Sequence, residues 1–130
     1  MGIVGLIALV PNTAILTTHA AMLAAIVGVI NGTLGESAWR GGFLTAFAER
    51  RGLGFVLGAL LFPAFQATLL LSHDLTFAGG PMMLIGLAAV LNLFWSWLAW
   101  RTNSIFWTSI AHVLTNILAF WVLFDGNGFA

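Results

Sequence analysis

Four runs of the chain, Thr13–Ile30, Leu53–Leu71, Met82–Trp100 and Ser104–Phe124, contain no Asp, Glu, Lys or Arg. Each holds about 18 to 21 residues, the length of helix needed to cross ~30 Å of hydrocarbon. This constrains the chain more than any other feature, because so much uninterrupted apolar helix cannot be hidden in a domain of this size. Only 6% of the 130 residues are charged, 61% are hydrophobic, and mean hydropathy is +1.05. A soluble domain carries about 25% charged residues. The expected fold is therefore all-α, a polytopic transmembrane bundle of about four spanning helices.

The remaining segments refine this. Met1–Val10 is apolar but too short to span; it could extend the first helix across a kink at Pro11. Gly79-Gly80-Pro81 marks a turn before the third run. Glu36–Glu49, "ESAWRGGFLTAFAE", reads as a separate short helix of about 21 Å. Residues 1–130 form a single transmembrane domain on this reading.

Charge gives the orientation. Arg50 and Arg51 lie in one loop and Arg101 two spans later, whereas "SHDLTFAGGP" and the C-terminal "DGNGFA" carry no basic residue. Counting Lys and Arg places the three arginines on the cytoplasmic side and the C-terminus outside. Trp97, Trp100 and Trp107 bracket Arg101 as an interfacial belt would. A bacterial inner membrane is the expected location, with membrane lipids as the surroundings. With net charge zero and dispersed arginines there is no footprint for nucleic acid. No cysteine is present, which excludes thiolate chemistry and disulfides.

Polar residues inside such spans are costly and so informative. By helix rise, Glu36, Gln66, His112 and Asn116 reach a similar depth from three different helices, so the expectation is one shared, sheltered pocket. His112 and Asn116 are spaced i,i+4 and share a helix face, and Glu36 and Arg40 can pair in the same way. Interhelical glue is the plain alternative for such groups. Gly28, Gly32, Gly35, Gly41 and Gly42 would let helices approach closely around Glu36. His19 lies in the first span, where packing and ligation both remain open; His73 sits in a polar loop and carries no expected role.

"GESAWRGGFLTAFAERRG", "LLFPAFQATLL" and "WRTNSIFWTSIAHVLTNILA" resemble, in order and spacing, the three motifs of the CPBP family. These are the CAAX prenyl protease and bacteriocin-processing (Abi) intramembrane proteases, with the patterns Glu-Glu-x-x-x-Arg, Phe-x-x-x-His and His-x-x-x-Asn. The resemblance covers about residues 24–120. It implies a site in which the first Glu and first His activate water while the second His and the Asn bind the oxyanion, with no metal or cofactor. Matched residue by residue, the second Glu, the Arg, the second His and the Asn fall on Glu36, Arg40, His112 and Asn116. The first Glu falls on Gly35 and the first His on Gln66, so both water-activating groups are missing.

Glycine offers no side chain and glutamine cannot take a proton, and general-base help is worth about 10²- to 10⁴-fold in rate. The resemblance thus implies a catalytically inactive or impaired relative. Such a chain would serve as a binding or structural subunit for another integral membrane protein or a membrane-embedded peptide. Two alternatives stand beside it. One is an active intramembrane endopeptidase using Glu36, His112 and Asn116. The other is a pigment- or haem-associated subunit, since a neutral histidine in a span can be an axial ligand.

Overall fold

The computed structural model describes residues 17–72 and 74–129. The path of Met1–Val10, the kink at Pro11 and the position of His73 lie outside these residues. The described chain is a transmembrane helical bundle with five α-helices: α1 (Thr18–Glu36), α2 (Gly42–Ala46), α3 (Arg51–Gln66), α4 (Pro81–Thr102) and α5 (Phe106–Gly126). Three continuous helices, Thr18–Ala46, Pro81–Thr102 and Phe106–Gly126, are long and apolar enough to cross a membrane. Helix α3 is shorter, and a 3-10 stretch, Ala67–Leu71, prolongs its line.

The segment expected as a separate short helix is not separate. A π-helical stretch, Ser37–Gly41, joins α1 to α2, giving one continuous helix of 29 residues. Gly32 and Gly35, expected as close-approach residues, lie within it, and packing overrides their low helix propensity there. Ala20, Ala24, Gly28, Gly32 and Glu36 form a buried i,i+4 stripe along α1. A Cβ on Gly28 would lie 2.8 Å from Ile117, and one on Gly32 would lie 2.8 Å from the Cα of Val113. The backbones of α1 and α5 therefore touch, the contact that small residues provide where no hydrophobic effect drives helices together.

Helix α3 approaches the π-helical stretch by the same means. A Cβ on Gly58 would lie 3.1 Å from the Trp39 carbonyl oxygen. The helix starts follow ordinary capping chemistry. The Ala20 N–H donates to Thr17 Oγ1 at 3.3 Å, and Pro81 occupies the first turn of α4, where its missing N–H costs nothing. Asn103, in the left-handed region at φ 53°, closes α4 and turns the chain into α5.

Candidate functional site: a buried Glu–Arg–Asn–His cluster

Glu36 is the last residue of α1 and is fully buried. Its Oε1 accepts two hydrogen bonds, from Arg40 Nη1 at 2.6 Å and from His112 Nδ1 at 2.8 Å. A carboxylate oxygen cannot donate, so Nδ1 carries the hydrogen of this bond. Arg40 sits within the π-helical stretch, a helix irregularity that recurs at functional sites. The carboxylate and the guanidinium cancel in charge, which lets two ionic groups stay buried.

Arg40 reaches a third helix. Its Nη2 donates to Asn92 Oδ1, and Ser96 Oγ donates to the same oxygen at 3.4 Å. Asn92 Nδ2 donates in turn to the Ala59 carbonyl oxygen on α3 at 3.1 Å. That carbonyl is available for a definite reason. Its i+4 residue is Pro63, which has no N–H to give. Asn92 thus satisfies the carbonyl that the proline leaves open and presents its own oxygen to Arg40.

Aromatic rings close the cluster. The Arg40 guanidinium lies 4.9 Å from the Phe62 ring centre and 5.7 Å from that of Trp95. The His112 ring lies 4.8 Å from Trp95 and meets Phe62 edge-on at 5.9 Å. Among the described residues, two buried atoms, Glu36 Oε2 and Arg40 Nε, have no hydrogen-bond partner.

The structure brings Glu36, Arg40 and His112 into one hydrogen-bonded group. Asn116 and Gln66 are outside it. Asn116 Nδ2 donates to Asn31 Oδ1 on α1 at 2.9 Å. Gln66 is half-buried, one turn beyond Phe62 at the end of α3, and is bonded to none of the cluster's groups. Gly35 faces the histidine directly, since a Cβ there would lie 3.3 Å from His112 Cε1. Asn92 was not singled out in the sequence, although Pro63 inside an apolar run signals a carbonyl in need of a donor. Among the described residues no group of three His, Cys, Asp or Glu side chains could hold a metal ion.

Fold and cluster together define a polytopic helical membrane protein with a charge-neutral polar group buried between its helices. Residues 17–118 match the family model for type II CAAX prenyl endopeptidases, Rce1-like, and the chain belongs to that family. A search of curated proteins and a search of solved structures each gave no match.

Proposed function

We propose that the protein is a non-catalytic member of its family, acting as a binding or structural subunit of a membrane complex. The observation that carries this is at Gly35. Where the family pattern has its first Glu, the backbone lies against His112 and supplies no carboxylate. The first His position likewise holds Gln66. Glu36 does not substitute freely, because Arg40 and His112 both hold its Oε1. Asn116, the second oxyanion donor of the pattern, spends its amide on Asn31. The proposed setting is a bacterial inner membrane with the C-terminus outside.

The test is hydrolysis of a prenylated CAAX-type peptide by purified protein in lipid vesicles. No turnover is expected. The double variant Gly35→Glu, Gln66→His supplies both missing groups and is expected to gain measurable hydrolysis. Turnover by the unaltered protein, lost in Glu36→Gln, would overturn the proposal.

One observation favours a second reading, an active endopeptidase. A histidine oriented by a carboxylate through Nδ1 is the arrangement of a general base. The same assay separates the two readings, since only this one has Glu36→Gln abolish a rate that exists beforehand.

A further inference from the structure

The Asn31–Asn116 pair lies outside the buried cluster and is open to the surroundings. Asn31 is exposed and Asn116 half-buried. Asn31 falls midway along the continuous helix Thr18–Ala46 and Asn116 midway along α5, so both sit near mid-bilayer depth. Two exposed carboxamides at that depth face hydrocarbon at a cost unless another polar group covers them. Their one mutual bond runs from Asn116 Nδ2 to Asn31 Oδ1. Among the described residues neither amide has a further bond, which leaves the Asn31 Nδ2 donors and the Asn116 Oδ1 acceptor without one. Exchanging N and O in both amides leaves the same pattern of one donor and one acceptor.

An uncharged donor and an uncharged acceptor on one pair are complemented by the acceptor and donor of a carboxamide. A helix crossing a membrane has no free backbone N–H to offer at mid-span, so the matching group must be a side chain. We infer that this pair is a docking site for a transmembrane helix carrying an Asn or Gln at the middle of its span. The inference rests on the binding-subunit reading above and names the chemistry of the partner.

The neighbourhood fits. Asn31 and Gly35 share one face of α1 by i,i+4 spacing, and His112 and Asn116 share one face of α5. The exposed pair thus stands one turn from the point where Gly35 meets His112. A helix seated on the carboxamides would lie over the position from which the family's first Glu is absent.

The probe is a model polyleucine transmembrane peptide with a single central Asn, against the same peptide with Leu there. The chain has no cysteine, so Glu49→Cys accepts one donor dye; energy transfer to dilute dye-labelled peptide is read in phosphatidylcholine vesicles. Two hydrogen bonds between side chains predict half-maximal transfer at roughly tenfold lower peptide-to-lipid ratio for the Asn peptide. In the Asn31→Leu, Asn116→Leu variant the two peptides should become equivalent.

Equal transfer from both peptides in the unaltered protein overturns the inference, and needs no variant to fold. So does an Asn preference that survives in the double variant. Self-association of the protein that depends on Asn31 and Asn116 overturns it too, because a second copy would then be the occupant. The peptide's mass, measured afterwards, keeps the two proposals apart. Cleavage would refute the non-catalytic reading without touching the docking result.

Discussion

Asn92 shows how a single side chain links three helices. Its amide nitrogen serves α3 through Ala59, and its oxygen serves Arg40, which in turn holds Glu36. Replacing it with leucine keeps the volume but strands a carbonyl and a guanidinium nitrogen inside the bundle. An unsatisfied buried partner costs about 1–3 kcal/mol, more beside a charge, so Asn92→Leu should destabilise by roughly 3 kcal/mol. The claim about Pro63 can be tested separately. Pro63→Ala gives the Ala59 carbonyl its own i+4 donor. In the Asn92→Leu background it should therefore cost less than in the unaltered chain, or even stabilise. Reversible unfolding in mixed micelles, arranged as a double-mutant cycle, would show this as a favourable coupling; zero coupling would mean that Asn92 does not serve that carbonyl.

Between elements, stability divides according to which glycines touch a neighbour. Gly32 is set against the Val113 backbone. Gly32→Ala should force α1 and α5 apart at a cost of roughly 1–3 kcal/mol, the usual penalty for overpacking. A Cβ on Gly86, in the second turn of α4, would meet nothing within 4 Å. Gly86→Ala should be neutral or stabilise by up to about 1 kcal/mol, since alanine is the better helix former. Thermal melts of the two variants in one detergent should move in opposite directions. The same contrast explains what was legible beforehand. The apolar runs announce helices because a membrane permits little else. The close approach at Gly28 and Gly32 was legible as a run of small residues, whereas the continuity of Thr18–Ala46 was not, because a π-helical join leaves no mark in hydropathy. Glu36 and His112 were readable, with Gln66 and Asn116, as costly polar groups at one depth, and Arg40 as the i,i+4 partner of Glu36. Asn92 was not, because one Asn in an apolar helix gives no sign of what it faces.

At the scale of the whole molecule, the bundle has two chemically distinct ends. At one, Arg51 Nη2 donates to the Trp100 carbonyl oxygen at 2.6 Å, and Arg50 and Arg101 lie close by in sequence. At the other, the Thr17 N–H donates to Asp125 Oδ1 at 2.7 Å, and Trp121 Nε1 donates to the Thr17 carbonyl oxygen at 3.0 Å. Asn127 is tied there to the backbone of Thr76 in both directions, at 2.8 and 2.9 Å. Thr17, Thr76 and the C-terminal residues thus share the end that lacks arginine, as an odd number of crossings from the loop at Arg50 requires. The basic end should face the cytoplasm, because cytoplasmic flanks retain Lys and Arg. Single cysteines can test this cleanly in a chain that has none. With a membrane-impermeant maleimide on intact spheroplasts, Asp74→Cys and Phe129→Cys should label at once. Glu49→Cys should label only after lysis. Labelling of Glu49→Cys in intact spheroplasts, with protection of the other two, would invert the topology and place the Glu36–Arg40–His112 cluster nearer the outer surface than the cytoplasmic one.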